Sequence, residues 1–536
     1  MYDRVLYIAA LFISLAAYAQ EDAWVYFKDK PEAAFYLANP LEMLTQKAID
    51  RREKQHIALD EKDVPISPTY IHSVIAANGI TVMAKSKWLN ALHVRGTQGD
   101  IQTLTSLVFI DRVDFANTSL NASGRQKKRK AEKVPQAQRT AQEFNYGGAA
   151  TQIQLLNGQL LHQQNFTGTG MTIAVLDGGF PGVDTAQPFE RLRNNGQILG
   201  GYNFVGHSPD FYTSGSHGAM VLSDIGGFTE GKLVGTAPDA YYYLFITEDV
   251  TSENPVEESY WVQAAEVADS LGVDVINTSL GYFDYDNPAY NYTYEDIDGK
   301  TAFITRGANV AFTRGMLCVT SAGNSGITSH PHIGVPADAV NTLTVGAVDS
   351  AEIVTSFSSR GPTYDQRIKP DVMAMGYQAV VANPEGNIIT ANGTSFSSPI
   401  TAGLVACLWQ ALPNLDNAQI LQLIKQSADR YENPDTDYGY GIPDFWLAYK
   451  NGKKLQQAMQ KFILYPSPVP DAVTISIPNG IENAMVIFYN SLGQVVVQKE
   501  ITPDNAVIAV QQLPPGVYGY RIECSGKLQW GRLLKQ

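Results

Sequence analysis

Short apolar runs alternate with helix-like segments between about residues 145 and 450. Four of these runs are "MTIAVLD", "DVINTSLG", "MLCVTSAGN" and "NTLTVGAV". Continuous apolar runs of this length are typical of strands whose two faces are both covered by helices. The alternation therefore predicts an α/β domain with a doubly wound, mostly parallel sheet.

One segment between these strands, "NPVEESYWVQAAEVADSLG", carries the start and stop signals of a helix. Asn254 can cap the helix, Pro255 suits its first position, and Glu257 can complete a capping box. Gly272 is expected to end it, because glycine readily adopts the left-handed conformation that follows a helix.

Small and hydroxyl residues precede a second predicted helix, in "NGTSFSSPITAGLVACLWQAL". From Ile400 onward apolar residues recur every three or four positions, which is helical spacing. Pro399 is expected within the first turn, where its missing N–H is not needed, so the helix begins close to Ser395. The hydroxyl of Ser395 would then lie beside free N–H groups that can stabilise an oxyanion. The alternative is that the hydroxyl cluster only caps the helix.

Different patterns flank the α/β segment. Residues 20–120 mix short apolar runs with a charged helix-like stretch, which predicts a small α+β domain. Residues 462–536 consist of short alternating runs separated by Gly, Pro and Asn turns. This second pattern predicts a small all-β sandwich.

Two further segments are expected to be processed. An apolar run from Val5 to Ala17 and an A-x-A-type site predict a cleaved signal peptide over residues 1–19, since the run is too short to span a bilayer. No later segment reaches the ~18 apolar residues of a membrane span. Residues 121–144 contain "RQKKRKAEK". This stretch is either a solvated linker or an exposed activation site between a pro-segment and a mature enzyme.

The net charge bears on the expected partners, and the cysteine content bears on how the fold is stabilised. The 536 residues carry a formal net charge of −14, so a nucleic-acid partner is not expected. Only three cysteines are present, and two of them, Cys318 and Cys407, lie in predicted core elements. An exported chain with so few cysteines must depend on the size of its core and not on a disulfide framework.

Polar residues stand where predicted strands end, which is where α/β sheets collect their functional groups. Asp177 ends "MTIAVLD", and Asn324 follows "VTSAG". His217 comes directly before an apolar helical run. Each residue has a plain alternative: a turn for Asp177 and Asn324, a structural histidine for His217. Together with Ser395, however, they supply the nucleophile, base, orienting carboxylate and oxyanion donor that acyl transfer requires.

Four motifs, "AVLDGG", "SHGA", "SAGN" and "GTSFSSP", occur in the order Asp, His, Asn, Ser and resemble those of subtilisin-like serine peptidases. The resemblance covers about 300 residues and implies a serine endopeptidase fold and activity over residues 145–450. It implies a catalytic triad of Asp177, His217 and Ser395, with Asn324 in the oxyanion hole. Ser279, Leu280 and Gly281 would pair with an extended substrate strand. Phe396 and Ser397 depart from the usual Met-Ala pair without removing a reacting group.

The flanking domains extend the resemblance. Residues 20–120 stand where such peptidases carry an inhibitory pro-domain, which implies a zymogen. The segments "LYPSPVPDAVTISI", "YNSLGQVV", "LPPGVYGYRI" and "GRLLKQ" resemble the type A sorting domain of the bacterial type IX secretion system, with Ser467 where Asn is usual. This implies secretion, or display on the surface, of a Gram-negative bacterium by way of the periplasm. The implied partners are peptide or protein substrates and the type IX machinery.

Members of the resembled family often bind calcium, although the implied chemistry requires no cofactor. The segment 283–300 is rich in carboxylates, which suit Ca²⁺: Asp284, Asp286, Glu295, Asp296 and Asp298. Its spacing fits no recognised calcium loop, and a solvated acidic loop is the alternative. No metal ligands are therefore assigned.

Two rival functions remain open at this stage. One is a member of the same family specialised for peptide ligation or for processing a single partner. The other is a catalytically inactive surface-binding protein, which would be expected to have lost at least one catalytic position; none is altered here.

Overall fold

The computed structural model describes residues 20–121, 144–459, 461–478, 481–524 and 527–536. The predicted signal peptide and nearly all of the 121–144 segment lie outside these residues. The described chain divides into two compact units, one ending at Ala448 and the other beginning at Tyr449.

The first part of the larger unit is a four-stranded antiparallel sheet with short helices, in the strand order β2-β3-β1-β4. Its elements are β1 (Gln20–Phe27), α1 (Ala33–Ala38), α2 (Gln46–Lys54), α3 (Pro68–Ile75), β2 (Thr81–Ser86), β3 (Ala91–Thr97), α4 (Gln98–Thr103) and β4 (Ile110–Phe115). This agrees with the α+β domain predicted for residues 20–120.

The rest of the larger unit is built on a seven-stranded sheet. Its elements are α5 (Ala150–Gln154), α6 (Gln159–His162), β5 (Thr172–Asp177), α7 (Glu190–Asn194), β6 (Ile198–Asn203), α8 (His217–Gly226), β7 (Phe228–Thr229), β8 (Leu233–Val234), β9 (Tyr241–Ile246), α9 (Val256–Leu271), β10 (Val275–Thr278), α10 (Phe303–Thr313), β11 (Leu317–Ser321), β12 (Leu343–Val348), β13 (Val372–Met375), β14 (Ala379–Ala382), β15 (Ile388–Ala391), α11 (Thr394–Ala411), α12 (Asn417–Ser427) and α13 (Phe445–Met459), which runs on into the second unit.

The sheet has the order β13-β12-β11-β10-β5-β9-β6, and every neighbouring pair is parallel. The chain begins the sheet at β5 and later extends it in both directions, so the strand order reverses beside β5. In open α/β sheets this reversal opens a crevice at the carboxyl ends of the strands. All residues of β5, β10, β11 and β12 are buried, as their continuous apolar sequences predict. The predicted parallel α/β fold is therefore confirmed.

The predicted helix is present, but it starts one residue later than predicted. Helix α9 begins at Val256, so Pro255 and not Asn254 is its N-cap. The Glu257 carboxylate accepts the backbone N–H of Asn254 at 2.8 Å. Gly272 ends the helix in the left-handed conformation, with φ 80°.

Pro399 does not lie in a first helical turn, as the sequence suggested. Helix α11 begins at Thr394, which places Pro399 sixth, in the second turn. A proline there offers no N–H to the carbonyl of Ser395, four residues earlier. That carbonyl accepts a hydrogen bond from the Ser279 hydroxyl instead, at 2.8 Å, so the lost helical bond is replaced.

The second unit contains two small antiparallel sheets, as predicted for a β-sandwich. Three strands pair in the order β16-β17-β20 and four in the order β19-β18-β21-β22. Their bounds are β16 (Ile463–Tyr465), β17 (Ala472–Ser476), β18 (Ala484–Tyr489), β19 (Val495–Ile501), β20 (Val507–Ala509), β21 (Gly516–Cys524) and β22 (Lys527–Lys535). The unit has its own core, which includes Val473, Phe488 and Ile522.

Among the helices of the described ranges, none combines the length and apolarity that crossing a membrane requires. Cys318 and Cys407 are buried, in agreement with their predicted core positions.

Candidate active site

A cleft of about 480 Å³ lies at the carboxyl edge of the parallel sheet. All seven residues singled out from the sequence line it: Asp177, His217, Ser279, Leu280, Gly281, Asn324 and Ser395. They come from the ends of β5, β10 and β11 and from the first residues of α8 and α11. Groups spread over more than 200 positions of sequence therefore meet in one cavity.

Asp177 and His217 form a hydrogen-bonded pair. Asp177 is the last residue of β5 and fully buried, and its Oδ1 lies 2.8 Å from the Nδ1 of His217. The same Oδ1 accepts the backbone N–H of Gly178 at 2.7 Å. Contact with Asp177 through Nδ1 leaves the other ring nitrogen, Nε2, available to accept a proton.

The charge of Asp177 raises the pKa of His217 above its ordinary value, and burial of the ring opposes this shift. The Asp177 hydrogen bond and the more distant Glu248 carboxylate add to the increase. An imidazole held in this way takes up a proton more readily than a free one. The pair thus has the electrostatics of a general base with its orienting carboxylate.

Ser395 is the second residue of α11 and is almost fully buried, with 8% of its surface exposed. A network of hydroxyl and amide side chains holds this end of the helix against β10. Ser398 donates to Asn277 at 2.9 Å, and Asn277 donates to Ser279 at 3.1 Å. Ser279 in turn donates to the Ser395 carbonyl. The backbone of Ser395 is therefore fixed by contacts outside its own helix.

The Ser395 hydroxyl donates to the Ser279 carbonyl at 3.3 Å. Within the described residues no hydrogen bond joins this hydroxyl to His217, although both side chains line the same cleft. Catalytic hydrogen bonds are often long without substrate and shorten in the substrate complex. A rotation of the Ser395 side chain away from Ser279 is the change that attack on a substrate would require.

Asn324 lies in the loop that follows β11. Its Oδ1 accepts the backbone N–H of Thr394 at 2.9 Å and the Thr394 hydroxyl at 3.1 Å. Because the oxygen is occupied in this way, the amide presents its Nδ2 donor to the cleft. The two hydrogen bonds fix the orientation of the Asn324 amide, which a residue that only forms a turn would not need.

Gly393 separates the two candidate oxyanion donors. A Cβ added at Gly393 would lie 3.5 Å from the Asn324 Nδ2 and 3.6 Å from the Ser395 backbone nitrogen. Gly393 also has φ 151°, a conformation that residues with a side chain rarely adopt. Because Gly393 has no side chain, the space beside both N–H donors stays open.

Glu248 is a cleft residue that the sequence did not single out. It stands two residues beyond the end of β9, a strand whose sequence, YYYLFI, is rich in tyrosine. The Tyr282 hydroxyl donates to its Oε2 at 2.8 Å. The position just after a strand is the same sequence signal that indicates Asp177 and Asn324.

His330 and His332 also line the cleft. The ring of His332 stacks on Tyr294 at 4.2 Å, and that of His330 lies 5.4 Å from Phe283. These aromatic contacts hold both histidine rings in the wall of the cleft.

Several carboxylates of the 283–300 segment are engaged in hydrogen bonds or ion pairs with protein groups. Asp296 accepts both the N–H and the hydroxyl of Thr293, and Asp298 forms an ion pair with Lys300 at 2.7 Å. Throughout the described ranges, no group of three or more His, Cys, Asp or Glu side chains is arranged to hold a metal ion. A structural calcium site stays a prediction from the resemblance.

The N-terminal domain packs on α9 and α10. Trp24 stacks on Phe303 at 5.0 Å and donates to the Ser259 hydroxyl at 2.8 Å. Glu266 accepts hydrogen bonds from the Ser86 hydroxyl and from two backbone N–H groups of the adjacent turn. Of the described residues between 20 and 121, none lines the cleft.

A buried ion-pair network forms a second contact between the same domains. Arg52 lies between Asp63 of its own domain, at 2.8 Å, and Asp269 of α9, at 2.7 Å. Arg314 reaches Asp63 from the other side, at 3.2 Å. Burial raises the pKa of Asp269, but Arg52 and Arg51 outweigh burial and hold it below the ordinary value. Removing one partner of such a buried pair typically costs about 3–5 kcal/mol, so the network ties the N-terminal domain firmly to the rest of the unit.

Comparisons with known proteins place three families along the chain. The model of the subtilase family matches residues 168–441. The model of the peptidase S8 propeptide domain of Bacteroidota matches residues 22–134. The model of the secretion system C-terminal sorting domain matches residues 463–536.

Individual proteins are similar to part of the chain. Subtilisin from Bacillus pumilus is 32% identical over 305 residues, which cover 56% of this chain and 97% of that protein. Serine protease AprX from Bacillus subtilis (strain 168) is 29% identical over 309 residues, 52% of this chain and 66% of AprX. Among solved structures, MycP1 with its N-terminal propeptide removed has a TM-score of 0.44 and 24% identity, covering 56% of this chain and 96% of MycP1.

Proposed function

Because the chain belongs to the subtilase family of serine endopeptidases, we propose that it hydrolyses peptide bonds through an acyl-enzyme formed on Ser395. The observation that carries the proposal is the meeting of Asp177, His217, Asn324 and Ser395 in one cleft. The reacting groups all come from the chain itself, so this chemistry requires no cofactor.

In the proposed mechanism the Ser395 hydroxyl attacks the carbonyl carbon of the substrate while Nε2 of His217 takes its proton. Asp177 holds His217 in the correct tautomer and stabilises the imidazolium that forms. His217 then gives the proton to the leaving amine. A water molecule, deprotonated by His217, hydrolyses the acyl-enzyme and releases Ser395.

Two N–H donors would stabilise the negative oxygen of the tetrahedral intermediates, Nδ2 of Asn324 and the backbone N–H of Ser395. Both border the space beside Gly393. Donors fixed in advance cost no reorganisation when charge develops. The hydrogen bonds from Thr394 to the Asn324 oxygen support this assignment, because they fix the amide before substrate arrives. Ser279, Leu280 and Gly281 would hold the substrate as an added strand, and its main-chain bonds would supply affinity.

The propeptide and sorting-domain matches indicate a zymogen that is secreted or displayed at the cell surface in Bacteroidota. The finer steps belong to the proposal: removal of residues 1–19 as a signal peptide, passage through the periplasm, cleavage within residues 121–144, and loss of the sorting domain on export. The predicted domain limits, 20–120, 145–450 and 462–536, are part of the same scheme. The sorting domain implies the type IX secretion machinery as a partner.

Hydrolysis in H₂¹⁸O distinguishes this proposal from its rivals. The processed protein is expected to cut a denatured protein at internal bonds and to place ¹⁸O in each new C-terminal carboxyl group, read by mass spectrometry. A peptide ligase would instead join added amine-bearing peptides to the cut ends. An inactive binding protein would produce no new termini, and either result would contradict the proposal.

A further inference from the structure

Glu248 occupies the same edge of the sheet as Asp177 and His217. Strand β9 runs parallel to β5 with Ile246 opposite Asp177, so Glu248 emerges just above that register. It lines the cleft together with His217 and Tyr282. Among the described residues that line this cleft there are three carboxylates, Asp177, Glu248 and Asp284, and no lysine or arginine.

Among the described residues, the Glu248 carboxylate has one hydrogen-bond donor and forms no ion pair with a lysine or arginine. Tyr282 donates to its Oε2 at 2.8 Å, which fixes the orientation of the group. None of the ion pairs between described residues includes Glu248. A largely buried carboxylate without a positive partner is costly to keep ionised.

The surroundings add to this cost. Burial, followed by the nearby charge of Glu253, raises the pKa of Glu248 to about 8. Glu257, buried close by, has its pKa raised to about 9 by burial and by Glu248 itself. A cation close to Glu248 would supply the positive partner that this carboxylate lacks. It would also offset the repulsion between Glu248 and the neighbouring carboxylates.

Apart from water, the component expected to enter this cleft during turnover is the substrate. The edge segment Ser279–Gly281 leads directly to Tyr282, whose hydroxyl is bonded to Glu248. A substrate strand paired along that edge would therefore pass close to Glu248, where a long side chain can reach the carboxylate.

We propose that Glu248 binds the ammonium or guanidinium group of a substrate lysine or arginine, and so selects peptides with a basic residue on the acyl side of the scissile bond. The inference rests on the proposed function, because it needs the substrate to lie in this cleft. The chain itself contains a sequence of this chemistry: six of the nine residues in "RQKKRKAEK" are basic.

The test compares arginine with citrulline, its uncharged near-isostere. Tetrapeptidyl aminocoumarin substrates carry one or the other at each of the four positions before the scissile bond, and the processed protein is assayed for kcat/KM. At one position arginine is expected to exceed citrulline by ~10- to 100-fold, the range of a charge-assisted hydrogen bond. Glu248→Gln keeps an acceptor for Tyr282 and is expected to bring that ratio to ~1.

Glu253→Gln is the matched control. It also removes a negative charge near Glu248, but Glu253 does not line the cleft. If contact with Glu248 matters, Glu253→Gln keeps the preference for arginine within ~3-fold of the wild-type ratio, because a charge that does not touch the cation contributes less. Equal loss of the ratio in both variants would contradict the proposal and indicate a general field effect.

The pH dependence gives a second readout. The ratio of arginine to citrulline should rise with pH as the Glu248 carboxyl ionises, since its pKa is about 8 and arginine stays charged throughout. The titratable groups that face Glu248 are Asp177, His217, Glu253, Glu257 and Tyr282. Ionisation of Glu257 would act in the same direction. In Glu248→Gln the ratio is expected to rise far less with pH, because only Glu257, which does not line the cleft, then ionises.

Failure of the inference can be distinguished from failure of the proposed function. Equal cleavage of arginine and citrulline substrates at all four positions would overturn the role of Glu248 and leave the peptidase activity intact. A processed protein that cleaves none of the peptides and does not react with a fluorophosphonate would contradict both.

Discussion

Replacing Ser395 with alanine is expected to lower kcat for peptide hydrolysis by about a millionfold. The variant keeps the cleft, the oxyanion donors and the Asp177–His217 pair but has no oxygen to form the acyl-enzyme. Its fold should persist, because the bond from Ser279 to the Ser395 carbonyl and the network through Asn277 do not use the lost hydroxyl. Hydrolysis of an aminocoumarin peptide by the processed protein measures the loss.

Ser397→Ala is the matched control for this prediction. Ser397 lies on the same helix and is buried, and its hydroxyl donates to the Thr394 carbonyl at 2.9 Å. Its removal should change kcat by less than ~10-fold, as expected for a buried hydroxyl with a purely local bond. A Ser395→Ala protein that kept more than ~1% of wild-type kcat would require a different nucleophile.

Replacing Asp177 with asparagine is expected to lower kcat about 10⁴-fold at neutral pH, since the wrong tautomer of His217 would face Ser395. The same change removes the charge that raises the pKa of His217. Only neutral imidazole can act as the base, so wild-type kcat/KM should rise with pH as His217 loses its proton. In the variant this rise should occur at lower pH, because the pKa of His217 falls.

The pH profiles of kcat/KM for wild type and Asp177→Asn provide the measurement, with Asp184→Asn as control. Asp184 is exposed in the loop that follows β5 and does not line the cleft. Asp184→Asn should leave kcat, and the pH range over which kcat/KM rises, close to those of the wild type. If kcat/KM rises over the same pH range in Asp177→Asn as in the wild type, that rise does not report the loss of the proton from His217.

The sequence predicted the parallel sheet well because strands that are buried on both faces have continuous apolar sequences. Strands β5, β10, β11 and β12 are continuous apolar runs, and all four lie in the middle of the sheet. Strand ends then indicated Asp177 and Asn324, since parallel strands deliver their carboxyl ends to one edge. The structure brings both residues into the cleft with His217 and Ser395.

The sequence did not predict features that depend on tertiary partners. Pro399 is tolerated in a second helical turn only because Ser279, more than a hundred residues away, bonds to the carbonyl that the proline leaves free. The pairing of β9 with β5, which no local pattern shows, brings Glu248 to the same edge of the sheet as Asp177. The interdomain network of Arg52 and Asp269 joins residues that no local pattern relates.

The site of a fluorophosphonate adduct tests whether Ser395 is an activated nucleophile. Mass spectrometry of the labelled, processed protein should place a single phosphonate on the peptide that contains Ser395, with no labelling when Asp177 and His217 are both replaced or the protein is unfolded. An adduct on a different residue, or an unlabelled Ser395 in a folded protein that still hydrolyses peptides, would contradict the role proposed for Ser395.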